Sequence, residues 1–350
     1  MELSQLLPYT DAIPVHWGWL HFFLLFTFLL HILVMNAMLG SGIIAFISSL
    51  KANMEDEATE RMISSKLPFA IAFTVNLGVA PLLFIQGLYG HLVYTSSVMM
   101  ATYWLSIVGL LLIAYYSAYL YDFKFDAPAK IRTYFIGVSV VLLLGIGFLF
   151  SNNMTLMLTP EKWVSYLENP NGTFLNLSEP ILIPRYLHFV VGSIAVGGLF
   201  LTILWKFSGD QEKRKKSMRW FTYSTCFQFP IGFWFLFALK PGVRDMFLGK
   251  DLFGTLLIIL GLVGGFLAIS FGSNNKVWPA IFSTLFTVSV MVLIRDLVRR
   301  SYLEPTFTLS MLKLEPQYGQ FYIFIAALVI GILLALYILR IATHHTVEGK

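Results

Sequence analysis

The chain has 350 residues, 57% hydrophobic and only 12% charged, with 32 Phe, 16 Tyr, 8 Trp and a formal net charge of +5. Soluble domains carry about 25% charged residues, so this chain lacks the polar groups to cover an aqueous surface, and the soluble class is excluded. Its 24 Lys and Arg lie mostly beside apolar runs, where basic residues set membrane orientation, so nucleic acid is not an expected partner. The single cysteine, Cys226, excludes an intrachain disulfide framework, a thiolate iron–sulfur cluster and a covalent CxxCH haem.

Taken in chain order, apolar runs of about 18 or more residues predict nine membrane helices. They cover 17–48, 68–98, 101–121, 133–158, 183–206, 218–239, 252–272, 278–299 and 319–341. At about 20 residues per crossing, nine spans use about 180 residues and leave only short connections, so residues 1–350 read as one all-α polytopic membrane domain. Met1 to Pro14 is acidic, with no basic segment, which predicts that the first span is retained and not cleaved as a leader. With the N-terminus outside and the C-terminus inside, 15 of the 24 basic residues fall on the inner side, led by the run Gln211-Glu-Lys-Arg-Lys-Lys216. The outer connections are then the N-terminus, a tight 98–101 turn, a long 159–182 loop, a 240–251 loop and a 300–318 loop. Asn171-Gly-Thr and Asn176-Leu-Ser match glycosylation acceptors, triplets common by chance and without meaning in a bacterial chain.

Five of the seven histidines, His16, His21, His31, His91 and His188, lie in or beside these spans, and His344 and His345 lie in the tail. Ionisable groups at membrane depth serve haem ligation, proton transfer or helix–helix hydrogen bonding. His21, His31, His91 and His188 sit about 4, 14, 7 and 6 residues below the outer surface, all in the outer half, which suits b-type haem sites between facing helices. His16 belongs to an aromatic belt with Trp17 and Trp19. His21 and His31 are about 80° apart around their helix and would serve different sites. His91 and His188, on different helices at similar depth, are the best pair for a bis-histidine haem. Gly87, Gly90, Gly192, Gly197 and Gly198 near these histidines would let a porphyrin approach, although plain helix packing uses small residues in the same way. At the outer end of the eighth span, Arg295 and Arg299 share a face and could grip one anion such as a haem propionate, with Asp296 as a partial counter-charge; snorkelling to the interface is the simpler alternative. Arg185, Lys240, Arg244 and Asp245 fall on the same side and make its rim largely positive.

Several segments resemble cytochrome bd quinol oxidase subunit I. Pro184-Arg-Tyr-Leu-His188 through Phe200 is similar to the family's fifth helix, whose His ligates the low-spin b haem. Leu30-His31 through Gly40 is similar to its first-helix segment, whose His binds a haem of the oxygen-reducing pair. Asn76-Leu-Gly-Val-Ala80, Ser151-Asn-Asn-Met154 through Pro160, and Ile294 to Tyr302 resemble parts of its second, fourth and eighth helices. The resemblance is diffuse, but it runs through the helices in order and implies an N-out topology with haems on the outer side. The departures are as informative. Ala101 to Tyr121 lacks the family's third-helix glutamates, and the outer quinol loop shrinks to Lys240–Asp251. The seventh helix has no Met ligand, for which His91 could substitute, and Val290, with Met291 beside it, stands near the eighth-helix Glu ligand.

The resemblance implies a b-haem subunit of a bacterial inner-membrane complex that passes electrons between the quinone pool and an outer c-type cytochrome partner. His91 and His188 would hold one haem, His31 with His21 a second, and Arg185, Arg295 and Arg299 the propionates. The sequence singles out no group for quinol deprotonation. Two alternatives stand beside it: a terminal quinol oxidase, against which the missing acids count, and a cofactor-free transporter or scaffold, against which the lack of internal repeats and broken half-helices counts.

Overall fold

The computed structural model describes residues 8–51, 57–168, 170–304 and 306–348; the side chains of 339 and 342–348 lie outside that description. The described residues form an all-α bundle. In order the α-helices are α1 (Trp17–Lys51), α2 (Glu57–Ser64), α3 (Leu67–Met99), α4 (Ala101–Phe123), α5 (Ala129–Met157), α6 (Leu182–Ser208), α7 (Gln211–Ala238), α8 (Pro241–Asp245), α9 (Leu252–Ser273), α10 (Val277–Leu303) and α11 (Tyr318–Glu348). A 3₁₀ helix, Pro160–Glu168, lies between α5 and α6. Eight of them, α1, α3, α4, α5, α6, α9, α10 and α11, are long and apolar enough to cross a membrane. The protein is therefore a multi-pass membrane protein, and exposed apolar side chains such as Phe69, Leu105, Phe123 and Phe207 face lipid.

The ninth expected span, 218–239, lies in α7, which is long enough at 28 residues but carries Thr222, Ser224, Thr225 and Gln228 among its apolar positions. It runs antiparallel to α6, with Gly198 against Phe221 and Trp220, Gly192 against Gln228, and Gly232 against His188. Local chemistry sets the turns. Gly209, at φ +81°, ends α6 in a left-handed conformation that disfavours a Cβ. Asp210 then caps α7 by accepting from the Lys213 backbone N–H at 3.0 Å. The Lys213 side chain and that N–H hold the Asp210 carboxyl below the usual carboxylate range. Asp251 caps α9 in the same way through the Gly254 N–H at 2.6 Å.

Helix α3 breaks its regular geometry at Tyr89 (φ −129°, ψ 26°), between Gly87 and Gly90, residues that tolerate such a kink. Helices α1 and α6 cross with backbones in contact: a Cβ on Gly40 would fall on the Ser193 carbonyl, and one on Gly197 would fall on the Gly40–Ser41 peptide. At the same crossing Ser193 Oγ donates to the buried Asn36 side-chain oxygen at 2.9 Å.

We call "upper" the end at which α1 begins. There an apolar cluster including Leu88, Leu92, Leu156, Ile181, Val298 and Leu303 closes the core. A second, including Ala45, Ala118, Tyr121, Ile136 and Leu201, packs the lower half. The short α2, absent from the expected elements, seals the lower end: Arg132 bonds Glu57 at 3.0 Å, Arg61 bonds Asp126 at 3.0 Å, and both guanidinium groups lie over the Phe125 ring. Helix α11 continues past 341 to Glu348, so His344 and His345 lie in a helix and not in a free tail. Their side chains are among those not described.

Candidate functional site: a histidine and arginine cluster in the upper half

His188 sits one and a half turns into α6, opposite α7. A Cβ on Gly232 would touch its Cε1 at 3.4 Å, so the glycine makes room for the ring. Its carbonyl accepts from Gln228 Nε2 at 2.8 Å. Nδ1 of His188 and Oε1 of Gln228 are both buried without a hydrogen-bond partner. Such a group costs about 1–3 kcal/mol when left unpaired and asks what it faces.

The neighbouring positive charges are more numerous than their counter-charges. Arg185, one turn above His188, lies over Phe235 at 5.9 Å and has a buried Nη1 without an acceptor. Arg295 lies over Phe28 of α1 at 4.4 Å, so it points inward to an aromatic face and does not snorkel. Arg299, only 8% exposed, lies over Tyr89 at 5.0 Å, and its Nη2 donates to Asp296 Oδ1 at 2.6 Å while its Nε has no partner. Arg185, Arg295 and Arg299 lie within electrostatic reach of one another. Asp296 binds Arg299 and Arg300, and not Arg295. Glu179 is held by Lys162 at 2.7 Å. Asp296 thus serves Arg299 and Arg300, while Arg185 and Arg295 have no carboxylate bonded to them among the described residues, and unmatched guanidinium groups of that kind favour an anionic ligand.

The other candidate histidines divide. His31 Nδ1 lies 3.1 Å from the Thr74 carbonyl of α3, to which it donates as the N–H tautomer; a Cβ on Gly78 would strike the ring at 2.9 Å. That hydrogen bond leaves Nε2 with its lone pair free, the arrangement that orients a metal-binding imidazole. Arg295 is within electrostatic reach of His31. His21 Nε2 is bonded to Asp296 Oδ2 at 2.9 Å. The sequence signals Arg295, Arg299 and Asp296, but not this contact across 275 residues. His91 packs edge-on against Phe307 at 4.6 Å, beneath the loop after α10, with Nε2 buried and unpaired. Its surroundings, Phe307 and nearby Asp11, differ from those of His188 on the α7 side. His16 is exposed and accepts from the Gly18 N–H at 3.1 Å.

Among the described residues no group of three or more His, Cys, Asp or Glu could hold a bare metal ion. No protein-family model matches the chain, and no curated protein matches its sequence.

Proposed function

We propose that this protein is a bd-like, b-haem subunit of a respiratory electron-transfer complex in a bacterial inner membrane, passing electrons between quinol and an outer c-type cytochrome partner. In this reading nine helices, α7 included, cross the membrane with the N-terminus outside and the C-terminus inside, and the upper end is the outer one. One observation carries it: half-buried His188, whose Nδ1 is enclosed without a partner, stands one turn from Arg185, whose Nη1 is likewise unmatched and which lies within electrostatic reach of Arg295 and of buried Arg299 with its unmatched Nε. A b haem matches both halves of that arrangement. Its iron takes an imidazole, and its two propionates are the carboxylates that the guanidinium cluster lacks. Bound haem supplies a one-electron couple within the outer half of the membrane. His188 would hold one haem and His31, whose Thr74 contact fixes its tautomer, a second. His91 is the remaining candidate for an axial position, and Arg185, Arg295 and Arg299 would orient the propionates. The lack of third-helix acids and the reduced outer loop favour electron transfer over oxygen reduction.

The test is the reduced-minus-oxidised absorbance spectrum of the purified protein. A haem b spectrum is expected in the wild type and in His16→Ala, with a whole haem missing from His188→Ala. A wild type without b-haem absorbance overturns the reading.

A further inference from the structure

We propose that His21, held by Asp296, is the proton acceptor of a quinol-oxidising site at the upper interface between α1 and α10. The inference rests on the electron-transfer function above and adds the group for quinol deprotonation. Asp296 is 2% exposed and accepts from Arg299 at 2.6 Å and Arg300 at 2.9 Å. An acceptor shared by two guanidinium groups is a carboxylate, so the hydrogen between it and His21 belongs to Nε2 of the imidazole. The tautomer is thereby fixed, and the lone pair sits on Nδ1. That atom has no partner among the described residues and is not among the buried unpaired atoms, and the side chain keeps 17% of its surface exposed. A histidine with one nitrogen on a buried carboxylate and the other open is built to take a proton, because the carboxylate stabilises the imidazolium that forms.

Packing alone does not account for the arrangement. Asp296 has two charged partners without His21, so the bond serves the imidazole more than the carboxylate. Depth agrees with the role. His21 lies one turn below Trp17, the first residue of α1, with the rings 6.1 Å apart, and the Trp17 ring is 5.1 Å from that of His16. Interfacial aromatics of this kind mark the headgroup level, where a lipid-soluble hydroxyl compound can meet a polar group and a proton can leave to water. The charged and titratable groups around His21 are Asp296, Arg299 and Arg300 from α10, with Arg295 one turn deeper against Phe28; Tyr89 from α3, under Arg299; and His16 from its own chain segment. Because Asp296 engages Nε2, His21 acts here as a base and not as an iron ligand.

In the step, a quinol O–H bond breaks and an N–H bond forms at His21 Nδ1. That proton then passes to water at the interface, and the proton of the second hydroxyl goes to the same water. The two electrons released as the quinol becomes quinone would be taken up one at a time by the haem that the proposed function assigns to this end of the bundle, which when bound would supply the one-electron acceptor. Asp296 is a positioning residue.

The test uses the purified, haem-loaded protein with decylubiquinol as reductant, following haem reduction by stopped-flow absorbance across pH. In His21→Gln the haem spectrum and reduction by dithionite are expected to stay as in the wild type, while reduction by decylubiquinol falls about 100-fold and its rate no longer rises with pH. In Asp296→Asn, which leaves the imidazolium without its counter-charge, the rise is expected to move to lower pH with the spectrum unchanged; this second variant decides the matter if His21→Gln fails to fold. Loss of haem from His21→Gln overturns the proposal, as does an unchanged pH profile in either variant or a haem-loaded wild type that decylubiquinol does not reduce. A wild type with no haem overturns the underlying function, and this inference with it.

Discussion

Asp296 is the hub of the upper half: one carboxylate joins α1 to α10 through His21 and receives Arg299 and Arg300 from its own helix. Breaking a buried pair from one side leaves the remaining charge unmatched, which costs about 3–5 kcal/mol. Asp296→Ala is therefore expected to lower the unfolding midpoint of the detergent-solubilised protein strongly. Arg185 is the converse case, a half-buried cation whose enclosed Nη1 finds no acceptor. Arg185→Leu is expected to leave the midpoint of the haem-free protein unchanged or raised, since an apolar replacement of an unmatched charge is neutral or stabilising. Equal losses in the two variants would show that the arginines are not in excess. The sequence makes Arg295, Asp296 and Arg299 visible as charges in an apolar run and places Arg295 and Arg299 on one face. It cannot say that Asp296 turns to Arg300 and His21 while Arg295 turns to Phe28, because a helical face does not name its neighbour.

At the level of helices, the contact between α1 and α6 sets backbone against backbone and depends on Gly40 and Gly197. Gly197→Ala would set a methyl group against the Gly40–Ser41 peptide, which cannot yield as a side-chain tip can, and overpacking of this kind costs about 1–3 kcal/mol. Gly145→Ala, at a helical position with no atom within 4 Å of the added Cβ, is the control. Thermal unfolding in detergent is expected to separate the two, with a loss for Gly197 and none for Gly145. Eight of the nine expected spans were legible because apolar runs of that length have few other uses. The short α2 was not, since eight residues with Glu57, Glu60 and Arg61 form no apolar run. The kink at Tyr89 was not legible either: Gly87 and Gly90 permit it but do not require it.

For the whole molecule, the bundle has two unlike ends. Basic side chains of the α6–α7 turn crowd the lower one, while the buried histidine and arginine groups gather toward the upper one. The proposed orientation assigns the upper end to the outside. With Cys226, which is exposed on α7, replaced by Ser, Gly242→Cys is expected to react with a membrane-impermeant maleimide on intact cells. Lys215→Cys is expected to react only after permeabilisation, and the reverse pattern would invert the topology. That His21, His31, His91 and His188 lie toward one end of the bundle was readable from the span boundaries. Their separation into a carboxylate-bound His21, a carbonyl-bound His31 and an unpaired His188 was not, because it depends on which helices become neighbours.

The upper end also holds a buried polar network around the loop that precedes α6. Asn176 is 1% exposed, its backbone N–H donates to Asn152, and its side-chain amide donates to Thr159 Oγ1 at 3.1 Å. The same residue opens the triplet Asn176-Leu-Ser. If the chain were made in a eukaryotic secretory pathway with this loop in the lumen, a sugar transferred to Asn176 before folding would occupy the space where the loop must seat, whereas one on exposed Asn171 would point away. The choice of production host therefore bears directly on whether the loop closes over α5.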